Sequence, residues 1–223
     1  MEQLLKNEIV GILNEIQRGS APHITGNDIA PAVVNISDHK FDLADSKGGT
    51  PIRNFEEGSA HYINGNEGNT YSLKIISYDD FLHQFTFDDG NGHPAVSRLK
   101  DGVRVADFLV YEISESRVYF IVHELSDEIS KNKLRTAKKQ LSDTLNQLYK
   151  SAEIAAFIDG FQNKLCFLSA DDSRKIVRSE GMADGFSEIY RVLPEPLQFN
   201  FGQIGTHGFK AFETSYVNLP ADI

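Results

Sequence analysis

Two apolar runs, VRVADFLVYEI (103–113) and VYFIVHEL (118–125), are separated by only the four residues Ser114 to Arg117. A spacer of that length closes an antiparallel hairpin. Ile113 then faces Val118, and counting outward places Asp107 directly opposite Glu124 on one face. That face also carries Val105, Leu109, Tyr111, Phe120 and Val122, while the other carries Ala106, Phe108, Val110, Tyr119, Ile121 and Leu125. Strands apolar on both sides belong in the middle of a sheet covered on both faces, and the covering layers are expected to be helices. Like charges across a ladder repel. The acid pair therefore sits in solvent at the open end of the sheet or pairs with Arg104 or Arg117, shares a proton, or is bridged by a cation.

The neighbouring segments complete an α/β pattern. Leu5, Ile9, Ile12, Leu13 and Ile16 recur at three and four residues and predict an amphipathic helix over 2–17. Residues 20–70 are dense in Gly, Asn, Asp, His and Pro, with short apolar runs such as 32–36, and read as long loops with short strands. Strands are expected over 71–76 and 85–87, joined through Tyr78-Asp79-Asp80, with a turn at Asp88 to Gly92. Leu134, Ala137, Leu141, Leu145 and Leu148 form the stripe of a helix that packs on the sheet, with Gln140 and Gln147 on one flank and Arg135 and Lys139 on the other. A second helix over 152–161 and a buried strand over 164–169 follow. Strand, helix, strand in that order implies a crossover and a parallel neighbour for one hairpin strand. A final strand is expected from Phe209 to Val217. The fold class is thus α/β, a mixed central β-sheet flanked by helices, with a loop-rich N-terminal region. Residues 1–172 form the core and 173–223 a C-terminal extension packed on it.

Charge is distributed unevenly. The chain carries a formal −10, yet residues 131–150 hold Lys131, Lys133, Arg135, Lys138, Lys139 and Lys150 against the single acid Asp143. One basic helix on an acidic body suits a phosphate contact, or is a solvated face balancing nearby acids. No stretch approaches the ~20 apolar residues of a membrane span, so a cytoplasmic protein without a membrane partner is expected. The single cysteine, Cys166, lies in an apolar run and reads as a buried hydrophobe. His23, His39, His61, His83, His93 and His207 lack short metal-ligand spacing and are expected in loops. Neither a phosphate-binding loop nor a nucleophile elbow is present.

The order helix, strand, Asp-bearing strand, Glu-bearing strand, helix with a Gln, strand resembles that of the PD-(D/E)XK nuclease superfamily, whose fold is restriction-endonuclease-like. The residues that carry the resemblance are VRVADFLVYEI, VYFIVHELS, AKKQL and NKLCFLSA, over about 100–170. It implies that Asp107 and Glu124 bind Mg2+ or Mn2+, which activates water and neutralises charge at the scissile phosphate. Lys138 and Gln140 are the further catalytic candidates, Gln140 to hold the substrate backbone or a water or else simply solvated, and Lys131, Lys133, Arg135 and Lys139 are the candidate nucleic-acid contacts. The superfamily's Lys two residues after the Glu is here Ser126. Three readings are open: the cation has migrated to Lys131, Lys133 or Lys138, Ser126 caps the following turn, or the site is degenerate. Glu8 and Glu15 on the first helix are candidates for a further ligand or solvent-facing charges, and His123 reads as a residue of the opposite face.

Two functions are consistent with these residues. One is a metal-dependent phosphodiesterase or nuclease-like protein, in DNA processing or anti-phage defence, with nucleic acid as its partner. The other is an inactive nuclease-fold subunit that binds a protein partner through its acidic surface.

Overall fold

In the computed structural model, residues 1–16, 29–45, 49–87, 96–97, 104–126, 131–170 and 195–220 are described. The expected hairpin is its centre. β8 (Phe108–Glu112) and β9 (Tyr119–Ser126) pair antiparallel, with Phe108 opposite His123, Leu109 opposite Val122, Val110 opposite Ile121 and Tyr111 opposite Phe120. Extending that register by one step sets Asp107 opposite Glu124. The turn is held by Glu112, which accepts hydrogen bonds from the Ser114 and Ser116 hydroxyls and from the Val118 amide.

On one side of the hairpin lies β5 (Leu73–Ser77), antiparallel to β8, and beyond it β1 (Val33–Ile36). On the other side the chain crosses through α4 (Lys131–Leu148) and α5 (Ala152–Asp159) into β10 (Asn163–Ala170), which runs parallel to β9 as the strand–helix–strand order implies. β12 (Lys210–Glu213) adds in parallel to β10, and β11 (Leu197–Phe199) closes that edge antiparallel to β12. Among the described residues this gives a seven-stranded mixed sheet, in the order β1, β5, β8, β9, β10, β12, β11.

Among the described residues, helices cover only one of its faces. There Leu5, Ile9 and Leu13 of the first helical segment, Phe81 and Leu82 of α3 (Tyr78–His83), Ala137, Leu141, Leu145 and Leu148 of α4, and Ile154 and Ile158 of α5 pack on Leu109, Tyr111, Phe120 and Val122. The first segment comprises α1 (Glu2–Leu4), a π-helical stretch (Leu5–Ile9) and α2 (Val10–Ile16). Burial of each large aliphatic in this layer is worth ~1.5–3 kcal/mol.

The opposite face carries a second sheet where helices are expected. β2 (Lys40–Leu43), β3 (Ile52–Arg53), β4 (Ala60–Asn64) and β13 (Tyr216–Leu219) form a four-stranded sheet in the order β13, β4, β2, β3. Its Phe41, Leu43, Tyr62, Val217 and Leu219 bury Phe108, Val110, Tyr119, Ile121 and Phe167 of the large sheet. The molecule is therefore layered helix, sheet, sheet. Each inner position of β4 (Ala60, Tyr62, Asn64) is buried, and the alternation is the period of a strand with one wet face.

One local expectation is filled in and another corrected. The connection through Tyr78-Asp79-Asp80 is a helix, α3, that begins at Tyr78. The final strand is broken at Thr214–Ser215, where the chain leaves the large sheet through β12 and enters the small one through β13. The segment 197–219 thus supplies strands to both sheets. A short β6 (Thr86–Phe87) pairs with β7 (Val96–Ser97), and the expected turn at Asp88 to Gly92 lies outside the described residues.

Candidate active site

α4 sets the approach to the acid pair. Its Gln140 amide donates to the Val105 carbonyl at 2.8 Å, its Thr144 hydroxyl accepts from the Ala106 amide at 2.7 Å, and its Asp143 carboxylate accepts from the Arg104 amide at 3.4 Å. Three consecutive backbone groups before Asp107 are therefore fixed to one helix. Asp107 is then held from two more directions: its Oδ2 accepts the Leu125 amide at 2.6 Å, and its carbonyl accepts the Tyr78 amide at 2.7 Å and the Asp79 amide at 3.3 Å. A carboxylate that accepts a backbone amide, on a main chain itself held by two more, keeps its orientation when a ligand arrives.

Glu124, across the register, is 4% exposed, and its Oε2 has no hydrogen-bond partner among the described residues. Burial, then the charges of Asp107 and Asp79, push its carboxyl up from 4.5 to about 10, against a backbone hydrogen bond from Asp107 that acts the other way. At neutral pH this carboxyl holds its proton. Asp79, in the first turn of α3, is also raised, by burial first and then by Asp80 and Asp45, while His83, whose Nδ1 lies 3.2 Å from its Oδ1, lowers it. Burial is the largest cause for both groups, but Glu124 lies inside the protein whereas Asp79 keeps 36% of its side chain exposed.

Other expected residues are placed as follows. Gln140 spends its amide nitrogen on the Val105 carbonyl, which makes it a residue that positions Asp107. Lys138 lies 3.4 Å from Glu213 and 4.4 Å from the Phe199 ring centroid, tying α4 to the β12 and β11 edge. Lys139 pairs with Asp143, one helical turn on. Lys133 and Arg135 are exposed on α4, and the side chain of Lys131 lies outside the described residues. Ser126, in place of the superfamily's Lys, is 9% exposed at the end of β9. Glu8 accepts a hydrogen bond from Ser151 at 2.8 Å, and Ser151 in turn caps α5, so Glu8 is a structural tie. The side chain of Glu15 lies outside the described residues. Arg117 sits over Phe157 and Phe161, 5.3 and 5.9 Å from their centroids.

Asp107 and Glu124 could offer a hard divalent cation two carboxylates, one with an orphaned buried oxygen. Among the described residues no group of three or more His, Cys, Asp or Glu could hold a metal ion. Magnesium does not need such a group, since it is commonly held by one or two carboxylates with water or phosphate in its other positions.

A second polar group lies on the small sheet. Asp42 is fully buried, accepts the Gly58 amide at 2.7 Å and lies 2.8 Å from His61 Nδ1. A Cβ at Gly58 would stand 2.7 Å from Asp42 Cβ, so a glycine is needed for the loop to cover this carboxylate. No helix among the described residues is long and apolar enough to cross a membrane. No family model, curated protein or solved structure matches the chain.

Proposed function

We propose that this protein is a metal-dependent phosphodiesterase of the nuclease type, with Asp107 and Glu124 as the ligands of Mg2+ or Mn2+. The observation that carries the reading is the buried Glu124 carboxyl, orphaned at Oε2, set opposite an Asp107 anchored by backbone. A protein gains nothing in stability from burying such a pair. The arrangement is understandable if a cation is its partner. The strand order around it, an antiparallel β5, β8, β9 followed by α4 and a parallel β10, supports the likeness to the PD-(D/E)XK nucleases.

A bound divalent cation supplies Lewis-acid chemistry: it acidifies a water and neutralises charge on a phosphate. The residues of the chain prepare that site. Gln140, Thr144 and the Leu125 amide orient Asp107, the helix layer keeps water from the inner side of Glu124, and the two carboxylates would hold the cation. The exposed cations of α4 contact the backbone of the nucleic acid.

The test is cleavage of labelled duplex DNA, single-stranded DNA and RNA with Mg2+ or Mn2+, beside folded Asp107→Ala and Glu124→Ala proteins. Wild-type cleavage falling at least about a hundredfold in both variants is the expected result. Cleavage unchanged in both variants refutes the assignment. A second reading, an inactive nuclease-fold subunit bound to a protein partner, is favoured by one observation: Ser126 stands where the superfamily has its Lys, and Lys138 is engaged by Glu213 and Phe199. It predicts no cleavage on any substrate.

A further inference from the structure

We propose that a cleft beside β3, the edge strand of the small sheet, binds a nucleotide, with the phosphate on Lys40 and Arg53 and the base against the Phe55 ring. The proposal does not depend on the reading of Asp107 and Glu124. Phe41 and Leu43 of β2 pack inwards, so Lys40 and Asp42, which alternate with them, lie on the outer face of the small sheet, together with Arg53 and His61, the neighbours of Asp42 across the ladder. Residues 54–58 close over Asp42. Their turn is tied twice, by the Glu57 amide on the Asn54 carbonyl at 3.1 Å and by the Asn54 side-chain amide on the Glu57 carboxylate at 2.8 Å, and the Gly58 amide then reaches Asp42 at 2.7 Å. Within the turn Glu56 has φ 72°, a left-handed conformation that persists in a residue other than glycine only where the surroundings hold it. Phe55 is thereby presented in one place, its ring centroid 5.8 Å from that of His61 and 5.4 Å from Lys40 Nζ.

The two cations are arranged for an anion. Arg53 commits Nη1 to the Thr50 and Ile52 carbonyls, at 2.6 and 2.9 Å, which leaves its Nε and Nη2 edge without a partner among the described residues. A guanidinium oriented in this way presents two parallel donors, the geometry that matches a phosphate. Lys40 lies over Phe55, and among the described residues neither cation has a carboxylate at ion-pair distance. Lys40, Arg53 and Phe55 line one cleft of about 330 Å³, with Asp38 and Glu57 also on its wall. That volume suits one small ligand. Two acids beside two cations disfavour a bare anion and favour a ligand that carries hydroxyl donors next to its anionic group. The aromatic wall takes a flat ring, since stacking tolerates any base. A nucleotide combines the three: phosphate for Arg53 and Lys40, sugar hydroxyls for Asp38 and Glu57, and a base for Phe55.

The experiment is calorimetric titration of the purified full chain, in chelator, with AMP, GMP, CMP and UMP, and with adenosine and inorganic phosphate as fragments. Chelator removes divalent cations, so the result is independent of the acid pair. Wild type, Arg53→Ala, Phe55→Leu, Phe55→Tyr and, as a control on an exposed cation of β12, Lys210→Ala are compared, each shown folded by thermal unfolding. The expected result is that at least one mononucleotide binds more tightly than adenosine or phosphate. Arg53→Ala and Phe55→Leu should each weaken it by about tenfold or more, while Phe55→Tyr and Lys210→Ala stay close to wild type. A tetranucleotide titrated beside the mononucleotide identifies the source: tighter binding that Arg53→Ala weakens marks a nucleotide within a strand, and equal or weaker binding a free one, both in support of the cleft. Several results overturn the proposal. No mononucleotide binds at millimolar concentration; adenosine or phosphate alone binds as tightly as the mononucleotides; Arg53→Ala and Phe55→Leu bind as wild type does, which places the nucleotide elsewhere; or Lys210→Ala weakens binding as much as Arg53→Ala, which makes the effect one of diffuse charge.

Discussion

His123 and Glu124 are neighbours on β9, both buried, pointing to opposite faces of the same sheet, and their environments differ completely. On the inter-sheet side, Ser169 gives its only hydroxyl proton to the Thr214 carbonyl at 2.6 Å, so it must accept from His123 Nε2 at 2.9 Å. That fixes the tautomer. His123 Nδ1 is then a bare acceptor, and the Tyr62 hydroxyl donates to it at 2.6 Å. Tyr62, His123, Ser169 and Thr214 form a closed chain that ties the small sheet to the large one, and burial holds the imidazole neutral by pushing it down to about 3. One residue further along, on the helix side, Glu124 has an orphan oxygen and Asp107 opposite. The same strand buries a polar group that needs nothing more and another that lacks a partner. A satisfied network specifies structure, whereas an unsatisfied one at the end of a sheet points to a ligand.

That contrast can be broken from either side. The largest effect is expected from His123→Ala, which opens a cavity and strands Tyr62 and Ser169, and should cost about 3 kcal/mol in denaturant unfolding at neutral pH. It should also remove an acid limb. Folded His123 stays neutral while the unfolded chain binds a proton below pH 6.5, so its contribution is present above 6.5 and is lost as pH falls towards 3. A variant with an unaltered acid limb would mean the imidazole is not buried neutral.

Glu124→Gln should act in the opposite sense. The folded carboxyl holds a proton that the unfolded chain releases above about 4.5, so wild-type stability contributed here is full at low pH and falls as pH rises towards 10. Measured in chelator, Glu124→Gln should match wild type near pH 4 and exceed it by about 2 kcal/mol at pH 8. A loss of stability at pH 8 would show that Glu124 is satisfied and would bring it level with His123. The smallest effect is expected from Tyr62→Phe, which leaves Nδ1 of His123 unpaired at a cost of about 1–2 kcal/mol, with Mn2+ binding unchanged. If metal binding also falls, the two faces of β9 are coupled and the comparison sharpens into a linkage between sheet packing and site.

Much of the centre was legible before any coordinates. The hairpin register followed from a side-chain period of two and a spacer of four residues, and so did the pairing of Asp107 with Glu124. The stripe Leu134 to Leu148 located α4 because a helix that packs on a sheet must repeat at three and four residues. The second sheet was not legible: β2, β3 and β4 are two to five residues long and are interleaved with Gly, Asn and His, too short for alternation to stand out. Gln140 was assigned to the right helix, but its hydrogen bond to the Val105 carbonyl was not legible, since backbone groups look alike in every sequence.

Local periodicity, then, determined which segments pair and which acids face each other, because adjacent strands in a hairpin leave almost no freedom of register. Only the tertiary structure decided what covers the second face, that β5 lies beside β8, and that the first turn of α3 therefore meets the Asp107 carbonyl. Those contacts join residues far apart in the chain. Their free energy comes from burial and from desolvated charge, which depend on what surrounds a side chain and leave no periodic trace in the order of residues.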